Sequence, residues 1–274
     1  MTEIEVNMTQ MQHPSRQRAG FSLVELLVVI GIIAVLIALV VFGSGALRQT
    51  SRGMTCLTNQ RQIMLGWDGY ATDNSGRYVA PDTNRNQHDW VRSIGDNLAP
   101  GPGGEVELES ALTEGALWPY LNELRLYRSP FDQSDHLRTY SLSAFFSQGE
   151  GSDHWGGPPA WQIATRSRIP RPSDTICVVA EFDHRGHNIN GWGISPYGPD
   201  WIDKLMIWDT GHFNFAFADG HVERYKWAGT SYNDPDPIEV AFMRPQTNVY
   251  YAGPDWDWIS ERLFPGSRSL YGGW

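Results

Sequence analysis

The apolar positions of this chain are unevenly placed, and their densest block lies close to the N-terminus. Leu26 to Phe42 is an unbroken apolar run, and Phe21 to Phe42 together are long enough to cross a bilayer core as a helix rising ~1.5 Å per residue. Gly43-Ser44-Gly45 follows and would loosen a helix locally, since glycine costs ~1 kcal/mol against alanine there. The pattern then resumes with Leu47, Met54, Leu57, Ile63, Met64 and Trp67, spaced mostly by three or four. This predicts one long helix from about Phe21 to Tyr70. Its second half is amphipathic and uses the Met and Trp stripe as core. Asp73-Asn74-Ser75-Gly76 is a turn signal that stops it.

A period of two replaces the helical period late in the chain. His212 to Ala218 alternates aromatic with small or polar residues, which marks a strand with one buried face. Asp219-Gly220 follows, and His221 to Trp227 can run back as its partner. Asp-Gly between two such runs predicts a hairpin, with Phe213, Phe215 and Phe217 on one face. Thr175 to Glu181 is apolar and β-branched, which predicts a central strand, and Thr139 to Phe146 reads as another. Gly115 to Leu121 begins a short helix or turn, while Ala99 to Gly104 and Gly149 to Pro159 read as loops. The fold class is therefore α+β: a long N-terminal helix packed on an antiparallel sheet with extended loops.

Composition supports that picture. Twelve Trp, 28 Gly and 17 Pro suit short strands and structured loops better than a helical bundle. A net charge of −10 with no basic run argues against nucleic acid, which needs a basic face to displace counterions. Two cysteines, Cys56 and Cys177, are too few for a disulfide framework. An oxidising compartment would permit them to pair. Cys177 reads as a buried strand residue, which favours two separate thiols.

The N-terminal block carries its own chemistry. Residues Met1 to Gly20 are polar, with Arg16 and Arg18 near their end. An ordinary signal peptide places its small cleavage residue after the apolar core, whereas here Gly20 lies before it. A cut after Gly20 would leave the helix on the mature chain. Glu25 is the odd member, because a carboxylate near the bilayer centre costs ~2.5–3.5 kcal/mol. Either it lies near the headgroups and snorkels out, or it pairs with a cation such as the α-amine that cleavage would create on Phe21. Arg16 and Arg18 on one side are matched by Arg48 and Arg52 on the other, so charge alone leaves orientation open.

Gly20-Phe21-Ser22-Leu23-Val24-Glu25-Leu26 resembles the processing signal of type IV prepilins and type II secretion pseudopilins. The resemblance implies a pilin-like fold, cleavage between Gly20 and Phe21 by a prepilin peptidase, and methylation of Phe21. It implies that Glu25 contacts the N-terminal amine of a neighbouring pilin or pseudopilin subunit during assembly. It divides the chain into a leader (1–20), a transmembrane helix (21–42), an amphipathic continuation (43–72) and a globular domain (73–274). It also implies a single-pass bacterial inner-membrane protein with its C-terminal domain in the periplasm or outside the cell.

A second resemblance lies in Phe217-Ala218-Asp219-Gly220-His221-Val222, similar to the C-terminal motif of a large bacterial prepilin group in which a His precedes Asp-Gly by nine residues. Leu117-Trp118-Pro119-Tyr120-Leu121 and Thr139-Tyr140-Ser141 resemble other landmarks of that group. The chain departs from it twice. Asp209 stands at the His position, with His212 three residues later, and Ser129-Pro130 stands where that group has Cys-Pro, which removes the expected partner of Cys56.

Other clusters of polar side chains invite alternatives. Glu181 to His187 holds two carboxylates and two imidazoles, residue types that metal sites use, although Gly186 and a strand end need not bring them together. Asp234, Asp236, Asp255 and Asp257 are candidate Ca²⁺ ligands in acidic loops, a cofactor that the pseudopilin resemblance also admits. No nucleophile elbow, phosphate loop or His-Glu-x-x-His occurs, so no enzymatic activity is expected. The alternative function is a membrane-tethered binding protein for polysaccharide, with Trp155, Trp161, Trp192, Trp201 and Trp208 as stacking faces.

Overall fold

A computed structural model describes residues 21–81, 89–92, 109–132, 137–146, 163–182, 191–195, 198–206, 211–228, 249–250 and 253–263. Helix α1 spans Leu23–Asp73, close to the extent the apolar spacing predicts. The chain divides into two units, Met1–Arg48 and Gln49–Trp274. In the first, Leu23–Val40 is an 18-residue stretch long and apolar enough to cross a membrane, and none of it is buried within the chain. Leu26, Ile30, Ile33, Ile37 and Val40 are all exposed, which is costly in water and expected in lipid.

The second unit is built around a sheet of four antiparallel strands. Strands β1 (Tyr140–Leu142), β2 (Ile176–Phe182), β5 (His212–Phe217) and β6 (Val222–Lys226) lie in that order. Two short pieces, β3 (Asp200–Trp201) and β4 (Lys204–Leu205), precede the hairpin. β4 pairs the C-terminal end of β2, and β3 pairs β7 (Val249–Tyr250). One layer of the core joins Ile63, Met64, Trp67 and Tyr70 of α1 to Tyr140, Leu142, Val178 and Ala216 of the sheet. A register shift between Ile176 and Val178 accompanies the placing of Cys177 and Val178 in that same layer. Ile63, Met64 and Trp67 of the predicted stripe are thus core, whereas Leu47 and Met54, at 71% and 61% exposure, are not, so the spacing predicts the packed face only from the part of α1 that meets the sheet. Short helices α2 (Glu109–Thr113) and α3 (Trp118–Leu121) cover the flank of this layer, with Leu112 and Leu117 fully buried.

The opposite layer holds Phe213, Phe215 and Phe217, all buried, against Ile176 and Val179. It is closed by a ten-residue helix, α4 (Pro254–Leu263), through Trp256, Ile259 and Leu263. Here the sequence reading needs correction. Asp255-Trp256-Asp257 is no acidic loop: Asp255 and Asp257 sit in the first turn of α4, where carboxylates favour the positive end of the helix dipole. Thr139 to Phe146 is also shorter as a strand than its composition suggests. Its register with β2 runs over Tyr140–Leu142, with the Ser143 N–H still on the Cys177 carbonyl at 2.8 Å, after which Ala144 donates its N–H to the Trp192 carbonyl at 2.8 Å.

Both predicted turns form. At the end of α1 the Gly76 N–H reaches back to the Ala71 carbonyl at 2.7 Å, with Ser75 and Gly76 at positive φ. Between β5 and β6, Gly220 takes φ +87°, the conformation that glycine supplies without steric cost.

Candidate functional site

The N-terminal end of α1 is the first candidate. Gly20 lies outside the described residues, and Phe21 is exposed just ahead of the helix. Glu25 is the sole ionisable residue between Leu23 and Val40. Its Oε2 accepts the Ser22 N–H at 2.8 Å, and the Val24 N–H donates to Ser22 Oγ at 3.2 Å. A single carboxylate is thus fixed at the start of a long apolar helix, next to the position where cleavage would leave an ammonium group.

The second candidate is the Asp219-Gly220 turn. Asp219 Oδ1 accepts from the His221 N–H at 3.0 Å and lies 2.5 Å from His221 Nδ1, while the His221 ring stacks on Phe217. Partial burial pushes the Asp219 carboxyl up, but the hydrogen bonds from His221 outweigh it and hold the group below the usual range. A methyl group added at Gly220 would lie 3.7 Å from the Leu65 side chain of α1, so the turn abuts the helix. Asp209 lies outside the described residues.

The third is the surrounding of Cys56. Both cysteines are free and buried. The Ser129 Oγ lies within 3.9 Å of Cys56 Sγ, and the Tyr140 hydroxyl lies 3.2 Å from the same sulfur. Burial raises the Tyr140 hydroxyl pKa well above its ordinary value, and it raises the Cys177 thiol likewise. Above this cluster opens a cleft of about 570 Å³ lined by Thr55, Asn59, Gln62 and Ser129. Its charges are internally matched, Arg125 by Glu123 at 3.4 Å and Arg128 by Asp132 at 3.7 Å.

Asp255 is nearly fully buried, and its Oδ1 accepts from the Tyr225 hydroxyl at 2.8 Å and the Ala228 N–H at 2.9 Å. Burial pushes this carboxyl up, and the two hydrogen bonds only partly oppose the shift. A carboxylate with a raised folded-state pKa binds protons more tightly when folded. Its contribution to stability therefore improves as pH falls from neutral toward that raised value. Asp255→Asn should keep the acceptor and remove this pH dependence, leaving the protein at least as stable as wild type at pH 7. Asp255→Ala should cost about 1–3 kcal/mol by stranding the Tyr225 and Ala228 donors. Denaturation at pH 7 and pH 5 checks both; an advantage of Asn over wild type that grows on acidification would contradict the assignment.

Among the other candidates, Asp257 stands in the first turn of α4, while Asp234, Asp236, His184 and His187 lie outside the described residues. Among the described residues no three potential metal-binding side chains come together. The polysaccharide reading needed open aromatic faces, and two of its five Trp, Trp192 and Trp201, are fully buried in the core. Trp155, Trp161 and Trp208 lie outside the described residues. Trp258, which the sequence reading passed over, is partly buried, with Tyr225 stacked at 4.2 Å and the Arg262 guanidinium over its ring at 4.0 Å. The signal for it was present as Asp255-x-Asp257 ahead of Ile259 and Leu263, an acidic first turn followed by apolar residues at helical spacing.

Comparison with known proteins bears on the first candidate. Residues 15–42 match the family model described as the prokaryotic N-terminal methylation motif. Neither the curated proteins nor the solved structures give a match to the chain. The match covers about a tenth of the chain, and it coincides with the end of α1 that holds Ser22 and Glu25. The chain carries a prepilin-type N-terminal methylation motif, the signal at which a prepilin peptidase acts. Among the described residues one helical stretch, Leu23–Val40, is long and apolar enough to cross a membrane, which fits a single-pass inner-membrane anchor.

Proposed function

We propose that the chain is a structural subunit of a type IV pilus or type II secretion pseudopilus-like filament. Cleavage falls between Gly20 and Phe21, Phe21 is N-methylated, and Glu25 pairs with the N-terminal amine of a neighbouring subunit. The domain from 73 to 274 lies in the periplasm or outside the cell. The observation that carries this reading is the coincidence of the methylation motif with a lone carboxylate at the start of an exposed apolar helix. Within one chain the amine and the carboxylate could satisfy each other, but then neither would recruit a neighbour. Between staggered helices the same pair compensates two charges in a low-dielectric layer and sets the axial register.

Substitutions at two positions test the two steps separately. Gly20→Glu should block processing, leaving a native N-terminus upstream of Phe21 by mass spectrometry. Glu25→Ala and Glu25→Gln should be processed and inserted like wild type, yet be depleted from sheared filament fractions. Wild-type filament yield from both Glu25 variants would remove the physical basis of the assembly role.

A further inference from the structure

The hydrogen bonds around Ser22 have a consequence beyond the pairing of Glu25 with a neighbour. The Leu26 N–H bonds to the Ser22 carbonyl at 3.1 Å, which makes Ser22 the residue that caps α1. Its side chain accepts the Val24 N–H, and three residues on, Glu25 reaches back to the Ser22 N–H. Ser-x-x-Glu with these two bonds is a variant of the capping box, in which Glu25 returns to the N-cap amide while the serine side chain takes the N2 rather than the N3 amide.

We propose that this box starts the membrane helix within a single subunit, and that Ser22 is thereby a positioning residue for the Glu25 carboxylate. In hydrocarbon no water satisfies the first N–H groups of a helix, so donors that capping leaves exposed in solution must be met by the chain itself. Ser22 and Glu25 meet two of them. The box also fixes a long, flexible side chain before any partner arrives. An ionised carboxylate accepts through both oxygens, so with Oε2 on the Ser22 N–H its other oxygen can take the ammonium of a neighbour. Glu25 therefore has two separable properties: acceptor geometry, which glutamine shares, and charge, which it does not. The link to assembly rests on the filament reading above; the cap does not.

The test uses the full-length, unprocessed chain in detergent micelles, labelled with ¹⁵N at Ser and Val, with amide exchange followed by NMR. Glu25→Ala should speed exchange of the Ser22 amide about fivefold, the scale of a lost cap. Glu25→Gln should hold it within about twofold of wild type, because Gln serves equally at this position of the box. Ser22→Ala should release the Val24 amide, and Ser22→Thr should restore it. Unchanged Ser22 exchange in Glu25→Ala would overturn the proposal. Filament incorporation is read separately. A Gln variant with a protected Ser22 amide that fails to enter filaments shows the two properties apart. A Gln variant that assembles normally defeats the filament role of the charge, while the exchange data still establish the cap.

Discussion

Trp67→Ala is expected to destabilise the domain by about 3–5 kcal/mol, the range for emptying a large buried aromatic site. Trp67 is fully buried on the face of α1 that meets the sheet. Its ring centroid lies 5.0 Å from that of Tyr78 and 4.7 Å from that of Phe146, and Tyr78 and Phe146 are themselves edge-on to each other. Truncation would open a void between the buried rings of Tyr78 and Phe146. It would also strand the Val79 carbonyl, which accepts the indole N–H at 3.0 Å. Phenylalanine at the same position should cost less, since it refills most of the void and loses only the hydrogen bond. Denaturant unfolding of the full-length protein in detergent, followed by circular dichroism, measures both. A loss below about 1 kcal/mol for alanine would mean that this half of α1 is not seated on the sheet as described.

The elements that the sequence makes legible are those where a single period runs far enough to be counted. Leu26 to Trp67 keeps apolar residues at helical spacing, and α1 follows it. Phe213, Phe215 and Phe217 share one side of β5, and a glycine at positive φ completes the hairpin, because alternation and turn chemistry point to the same register. What escapes reading depends on contacts distant in sequence. Thr139 to Phe146 has strand composition throughout, yet beyond Leu142 the Ala144 N–H goes to Trp192 rather than to β2. No local pattern announces that exchange.

The candidate site divides in the same way. Gly20, Phe21 and Glu25 are readable because a short motif concentrates charge, size and apolar length in seven residues. Asp255 is not, since its role depends on Tyr225 and Ala228, roughly thirty positions earlier. An acidic pair flanking a Trp looks like a solvated loop until the sheet face it covers is known. The Trp residues mislead for a related reason. In a loop-rich chain their neighbours are Gly and polar residues, so local context suggests exposure while Trp192 and Trp201 fill the core.

The close approach of Ser129 to Cys56 leads to the other large effect. Cys56 and Ser129 are 73 positions apart in sequence, and their side-chain Sγ and Oγ atoms are 3.9 Å apart in the buried layer. A disulfide needs an S–S separation of about 2.05 Å, so side-chain rotation must close the gap if the backbone is to stay in place. Ser129→Cys should therefore oxidise, its introduced thiol bridging to Cys56 and displacing the weak contacts that Ser129 and Tyr140 now make to the sulfur. Closing a loop of that length removes unfolded-state entropy worth about 4 kcal/mol in the chain-entropy account. The other native thiol, Cys177, is buried on β2 and takes no part. The expected result is a bridge identified by peptide mapping without reduction, together with a rise in unfolding midpoint that a reductant abolishes. Cys56→Ala in the same background should erase the gain, since no other thiol faces position 129 among the described residues. A variant that stays reduced under oxidised glutathione, or that bridges without gaining stability, would show that Cys56 and Ser129 are neighbours whose backbones diverge.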